Sequence, residues 1–359
     1  MKKIDLYIVK KFLGTFFFIL MLLILIAVVI DFSEKVDNFI ESEATFMEII
    51  TQYYFNFIPH IAALLGPFFV LVAVVFFTSQ LASRSEIVAA TSGGVSFYRL
   101  MLPYFMGAFI LGGIQYMSNH YWVPNANKTR LNFEENFLRS WKLKWTKNIN
   151  RQIDDNTFMY IGTYSLEQYV ATRFTLEHVE DNKILFKLTA NKASWDSEKE
   201  KWVIQNYYIR EFDEEGNESF TRGAMMDTTL NIKPDEIYQK ISVKEEMTSP
   251  ELIKYIAELR KTGQDYIEFY ELEKHRRTSS VFSLIILTII GYSLASRKVR
   301  GGLGIHIVTA IVLAGLFELS MKFSTTLTTN ADMHPFLGVW IPNFIFLGLA
   351  IVLIKLAQK

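Results

Sequence analysis

The stretch SRSEIVAATSGGVSFYRL, residues 83–100, lies between the apolar runs GPFFVLVAVVFF (66–77) and MLPYFMGAFILGG (101–113). A connection between two membrane spans needs only a few polar residues, yet this one reads as a short helix with a built stop. Arg84, Glu86 and the run Ile87-Val88-Ala89-Ala90 favour one or two helical turns. Gly93 and Gly94 supply a C-terminal cap, and Ser96 is placed to cap a second helix that starts at Phe97. A charged, capped surface helix wedged between apolar runs sets the question for the rest of the chain.

The average composition conceals a strong segregation. Half of the 359 residues are hydrophobic, and 37 Lys and Arg balance 37 Asp and Glu. Zero net charge argues against a nucleic-acid partner, which calls for a basic excess. Long stretches at both ends are nearly uncharged, while Lys128–Arg277 carries most of the charge. That is the signature of a membrane protein with a water-soluble insert. The chain has no cysteine, which excludes disulfides and thiolate metal sites.

About 20 apolar residues suffice to cross a bilayer. Six segments qualify, at roughly 12–31, 54–80, 97–122, 279–296, 303–325 and 335–355. The first follows the basic start MKKIDLYIVKK and is long for a signal peptide. No small-residue cleavage site comes after it, so it reads as a retained span. The second contains Pro59 and Gly66-Pro67, which invite a kink. Basic residues mark one side: Lys2, Lys3, Lys10, Lys11, Arg84, Arg297, Lys298, Arg300, Lys355 and Lys359. The short connections on the other side are acidic or neutral. The positive-inside rule then puts both termini and the 83–100 stretch in the cytoplasm, and the insert between spans three and four on the far side.

The insert has two textures. Between about 150 and 245, short alternating runs such as TFMYIGTY, KILFKLTANKASW and KWVIQNYYIREF are separated by turn signals. Strands at that spacing predict a sandwich or jellyroll. SPELIKYIAELRKTG then reads as a helix with Ser249 as N-cap, Pro250 in the first turn, Leu252, Ile253, Ile256 and Leu259 on its apolar face, and Gly263 as its stop. A second helix, 265–277, leads into span four. The expected fold is membrane α-helical, six transmembrane helices arranged 3+3, with an inserted periplasmic all-β jellyroll-like domain. The expected division is 1–124 for spans one to three, with the surface helix at about 83–93. Residues 125–248 form the β domain, 249–278 a helical connector, and 279–359 spans four to six.

No catalytic signature is convincing. There is no P-loop, GGLGIH at 301–306 lacks a β-α-β context, and the six histidines show no metal-protease spacing. No cofactor is implied. His60, inside span two, is by default a site for inspection, although a neutral histidine bonded to a neighbouring helix is the simpler reading. Charges gather near the far-side membrane face: Asp31, Glu34, Lys35, Lys128, Arg130 and Lys322. Lys322 lies within span five, where a charge needs a cavity, a partner or a route to the interface. Glu318, four residues earlier, offers an intrahelical pair.

Four segments in this order carry a family resemblance: RSEIVAATSGGVSFYRLMLP, WVPNANKTRLNFEENF, SPELIKYIAELRKTGQDYIEFYELEKHRR and VWIPNFIF. With the three-β-three layout, essentially the whole chain resembles the LptF/LptG (YjgP/YjgQ) permeases of the lipopolysaccharide transporter. The resemblance implies a permease of an ABC transporter, not itself an enzyme, that extracts lipopolysaccharide from the inner membrane and passes it to a periplasmic bridge toward the outer membrane. It implies a paralogous permease (LptF or LptG), a separate LptB-type ATPase dimer, LptC and LptA as partners. The 83–93 segment then corresponds to the coupling helix, with Glu86 matching the acidic residue that docks into the ATPase and Arg84 beside it. Lys35, Lys128, Arg130 and Lys322 lie where the family places basic head-group contacts. Exposing about 60 lipid methylenes to water would cost on the order of 50 kcal/mol, so a lipid path along an apolar channel is expected. Phe158, Tyr160, Phe186 and Trp202 are its candidate lining, with a packed core as the plain alternative. The competing readings are a lipid-modifying membrane enzyme, a receptor with a β sensor domain, and a permease for another lipid.

Overall fold

The computed structural model describes residues 3–138, 145–154, 156–165, 168–180, 183–197, 199–212, 217–230, 232, 234–237, 243–261, 267–297, 302–331 and 333–357. Lys2, Gly263, Asp265, Lys298, Arg300 and Lys359 lie outside the described residues. The described residues form two compact units: one of Met1–Leu138, Lys244–Leu252 and Glu268–Lys359, the other of Arg139–Val243 and Ile253–Ile267.

The first unit is helical. Helix α1 spans Lys3–Glu41. A short α2 (Phe46–Glu48) passes through a π-turn, Ile49–Tyr54, into α3 (Phe55–Ser83) without a break. Thr45 starts this helix through a capping box: its hydroxyl receives the Glu48 N–H, and the Glu48 carboxylate receives the Thr45 N–H. Helix α4 (Glu86–Ser92) precedes α5 (Phe97–Met117), which continues through two π-turns and α6 (Val123–Phe133) to Leu138. The helix of the third span thus runs well past the expected stop near 122, because π-turns let it continue where a polar run invites an end. Later in the chain come α10 (Ile267–Ala295), α11 (Gly302–Asn330) and α12 (Pro335–Ala357). Among the described residues, six helices are long and apolar enough to cross a membrane. The expected 265–277 helix is not separate from span four; the described part is the first turns of α10.

The two larger apolar clusters of this unit meet on α3. Phe12 and Phe16 of α1, Val74 and Phe77 of α3, Tyr104 and Ala108 of α5, and Tyr292 of α10 form one. Leu71 and Val75 of α3 join Leu287, Ala314, Phe317 and Phe346 in the other, so α3 is shared by both. Small residues set the approach distances. A Cβ at Gly107 would stand 2.4 Å from the Phe12 ring, and one at Gly291 would stand 2.9 Å from Val74. At one end of the bundle the Arg99 guanidinium grips the Asp5 carboxylate bidentately at 2.8 and 2.7 Å, and Tyr292 donates to the Phe97 carbonyl.

The second unit is all-β. Strands β1 (Trp145–Asp154), β2 (Thr157–Ser165), β3 (Val170–Glu180), β4 (Lys183–Asp196), β5 (Lys201–Phe212) and β6 (Glu218–Thr228) pair antiparallel in sequential order in one sheet. A crease crosses it. One pair is missing from each ladder at the same level, at residues 148, 162, 173, 191, 206 and 224. Arg173 and Asn206 on this line adopt φ of 52° and 51°. Inward residues on either side of the crease are therefore three apart rather than two: Ile161 and Tyr164, Ala171 and Phe174, Ala190 and Ala193. Without that step, strict alternation would send one half of each strand's apolar set to the wrong face. Past β6, Ile232 and Ile237 pack onto the same face, and the Trp202 indole donates to the Ile232 carbonyl.

Helices α7 (Pro234–Ile237), α8 (Val243–Glu246) and α9 (Ser249–Lys261) follow the sheet. Ser249 is the first helical residue of α9, not its N-cap. Thr248 holds that place, with its N–H and hydroxyl both donating to Glu251, in the T-x-x-E pattern of a capping box. Leu252, Ile256 and Leu259 are buried as expected, but Ile253 is exposed.

Gly107→Val should force α1 from α5, because the buried Phe12 ring has nowhere to go. Overpacking of this kind costs roughly 1–3 kcal/mol. A lower melting temperature for the detergent-solubilised chain, with Gly113→Val as a control facing open space, is the measurement that checks it.

Candidate functional site

The segment after α3 is shaped by two backbone conformations that break the helix. Ser85 sits at φ 61°, turning the chain sharply out of α3, whose C-cap is Arg84. At the other end of α4, Gly94 has φ 86°, its N–H reaches the Thr91 carbonyl, and the Val95 N–H reaches that of Ala90. This is a complete Schellman motif. Ser96 then accepts the Arg99 N–H and opens α5. Ile87, Ala90 and Val95 seat α4 on the α1–α3–α5 core, and no residue of α4 is fully buried. Glu86 is half-exposed, with the Tyr7 hydroxyl 3.4 Å from its carboxylate. Arg84 is exposed. The helix is thus a small rigid knob on the bundle surface, joined to α1 through Tyr7 and, one turn into α5, through Arg99 and Asp5.

The opposite end of the bundle holds the other charges, and they are not alike. Lys35 donates to the Tyr53 hydroxyl and lies 3.0 Å from Asp31 and 3.5 Å from Glu134. Tyr53 in turn donates to Asp31. Arg130 is buried, 2.8 Å from Glu134, and reaches Asn127. Lys35 and Arg130 are therefore tied into one network with two carboxylates. Lys128 and Lys322 are both exposed; Lys128 feels the Glu251 carboxylate and Lys322 the Glu318 carboxylate.

Sequence reasoning passed over a second cluster, at the start of α10. Glu273 is buried, and each of its oxygens takes one arginine: Arg276 Nε at 2.8 Å and Arg277 Nε at 2.9 Å. Arg277 is only 3 % exposed. Its remaining nitrogens donate to Ser249 Oγ and the Lys244 carbonyl, which anchors α8 and the first turn of α9 to α10. Arg276 is 42 % exposed and lines a cavity of about 420 Å³ with Lys244, His60, Glu245 and the threonines of α11. Burial holds the Lys244 pKa below its ordinary value, against the opposing pull of Glu273 and Glu245. The signal in sequence was the run EKHRR beside an apolar span, read only as part of a family motif.

In the β unit the four candidate lining residues divide. Trp202 and Phe186 belong to the packed face. Phe158 and Tyr160 alternate with the buried Met159 and Ile161 and face the other way.

A helix bundle of six spans, an all-β insert after the third, and a capped knob after the second together match one family. The profile described as lipopolysaccharide export system permease LptF/LptG matches residues 6–356. The chain belongs to the LptF/LptG family. It is also 21 % identical over 346 residues to the lipopolysaccharide export system permease protein LptG of Haemophilus influenzae, with 96 % of each chain covered. As an LptF/LptG permease it is a multi-pass inner-membrane subunit of a lipopolysaccharide-exporting ABC transporter that works with partner proteins, and is not itself an enzyme.

The ion network separates two kinds of substitution. Glu134→Gln leaves Arg130 buried and short of its main partner, a change worth roughly 3–5 kcal/mol, while Lys35→Met removes only a part-exposed member. Thermal melts in detergent should show a large drop for the first and a small one for the second; equal drops would mean that the network is not organised around Glu134.

Proposed function

We propose that this chain pairs with a paralogous permease and, driven by an LptB-type ATPase dimer, lifts lipopolysaccharide from the inner membrane. It then passes the lipid through LptC and LptA toward the outer membrane. Both termini and α4 are cytoplasmic in this reading, and the β unit is periplasmic. The observation that carries it is α4. A seven-residue helix with no buried side chain, stopped at both ends by left-handed residues, is built to be held and not to fill space. Glu86 offers its carboxylate to a basic groove of the ATPase, with Arg84 beside it. Movement of α4 reaches α1 through Tyr7 and through the Arg99–Asp5 clamp.

The exposed Lys128 and Lys322 are head-group contacts in this reading, because phosphates bind free cations well. Lys35 and Arg130 serve beside them, and a ligand phosphate must compete there with Asp31 and Glu134. Through the β unit, Phe186 and Trp202 mark the apolar side of a lipid path, with Phe158 and Tyr160 on its outer face.

Co-expression with the partner permease and the ATPase, followed by pull-down in detergent, tests the docking. Wild type should retain the ATPase, and Glu86→Arg should lose it while the permease pair survives. Equal retention would remove Glu86 from the interface. In the assembled complex, Lys322→Glu should lower photo-crosslinking to lipopolysaccharide, and unchanged crosslinking would remove Lys322 from the cargo path.

A further inference from the structure

We infer that the bidentate ion pair between Arg99 and Asp5 is the link that turns a movement of α4 into a movement of α1, so that both are positioning residues for lipid extraction and neither takes part in docking the ATPase. The inference rests on the permease reading above and names the contact that carries its coupling.

The first observation is where α1 is held. Of its 39 residues, the buried ones are Asp5, Ile8, Val9, Phe12 and Phe16 in the first turns and Phe39 near the far end. The apolar stretch between is only 6 % buried. A helix of this length runs about 58 Å. Held near its ends and free along its middle, it follows whatever its first turns are tied to. Asp5 is the one charged side chain in that buried set, and a buried carboxylate needs its counter-charge.

The second observation is where Arg99 stands. It lies in the first turn of α5, where the helix dipole disfavours a cation. Local helix chemistry gives no reason for it there; Asp5, 94 residues earlier in the chain, does. Its two N–H bonds, of 2.8 and 2.7 Å, fix orientation as well as distance. A rotation of this turn is therefore passed to α1 and not lost as slippage. Only residues 93–95 separate α4 from Ser96, whose hydroxyl accepts the Arg99 N–H.

The opposite side of the same turn is anchored. Phe97 precedes Arg99 by two residues, about 200° round the helix. Its ring centroid is 4.9 Å from that of the buried Tyr292 in α10, and its carbonyl takes the Tyr292 hydroxyl at 3.0 Å. With the α10 side fixed, a tilt of α4 swings the Arg99 side, and α1 with it. The rival link, Tyr7 to Glu86, is a single surface contact of 3.4 Å. Its acceptor is the carboxylate that an ATPase groove would draw away, so it weakens on docking, when coupling has to act. The Arg99–Asp5 pair, with Asp5 only 3 % exposed, keeps its geometry.

The test uses the assembled complex of this chain, a cysteine-free partner permease and a cysteine-free ATPase in proteoliposomes with lipopolysaccharide. This chain has no cysteine of its own, so spin labels go on at Leu22→Cys in the middle of α1 and Ile345→Cys in α12, both exposed. Asn343 ties α12 to α10. Two quantities are read: the change in label separation on adding ATP and vanadate, and lipopolysaccharide extracted per ATP hydrolysed. Wild type should show a shift. Asp5→Asn should keep the ATPase in pull-down, lose the shift, and extract about tenfold less per ATP, as for loss of one charge-assisted hydrogen bond. Arg99→Lys keeps the charge without the fork and should do the same, which covers the case in which Asp5→Asn fails to assemble. Tyr7→Phe should behave as wild type.

A shift and an extraction ratio unchanged in both clamp variants overturn the inference. So does loss of the ATPase from either assembled variant, which would make the pair a plain support for α4, and so does a defect confined to Tyr7→Phe. A wild-type complex that retains no ATPase overturns the permease reading and the inference with it. A wild type that shifts but extracts no lipopolysaccharide removes only the cargo; loss of the shift in the clamp variants then still supports the link.

Discussion

A buried carboxylate shared by two adjacent arginines organises the end of the bundle opposite α4. Glu273 accepts from Arg276 and Arg277, one on each oxygen. An unpaired carboxylate at that place would be untenable, and so would an unpaired guanidinium. Because Arg277 also holds the Lys244 carbonyl and Ser249, the polypeptide that returns after the β unit is tied to α10 just before that helix becomes apolar. The position of α8 follows from it, hence that of Lys244, and hence the shape of the cavity beside α11.

The two ends of the helical unit solve different problems. At one end, α4 must be rigid yet exposed, and local backbone devices achieve this: a left-handed serine, a Schellman stop and a serine cap. At the other, charges must sit beside apolar helices, and i,i+4 pairs within a helix combine there with contacts between helices. The Lys35–Asp31–Tyr53 and Arg130–Glu134 contacts join residues of α1, the π-turn before α3, and α6. The π-turns matter here, since Tyr53 and Glu134 both lie in such segments, and the altered pitch carries them to a face that a regular helix would turn elsewhere.

The β unit shows a similar division between local pattern and global shape. Its alternating apolar runs were sufficient to expect strands. The face each residue occupies depended on the crease, where Arg173 and Asn206 take conformations that no simple alternation anticipates. Phe186 and Trp202 therefore came to the packed face, and Phe158 and Tyr160 to the other.

Six apolar runs, their caps at Gly94 and Ser96, the all-β texture of the insert and the family were legible in the sequence itself, because bilayer length, turn chemistry and strand period act over a few neighbouring residues. Thr248 was legible too, through its Glu251 three residues on, although Ser249 was the more obvious cap. Which cations are free was not legible. Lys35, Arg130, Arg276 and Arg277 look alike in one dimension. Each has a carboxylate three or four residues away on its own helix, and only the tertiary structure adds Tyr53 and Glu134 to Lys35, and Ser249 and the Lys244 carbonyl to Arg277. A charge's availability depends on partners brought from distant segments, and the Coulomb energy that decides it depends on separation in space, not along the chain.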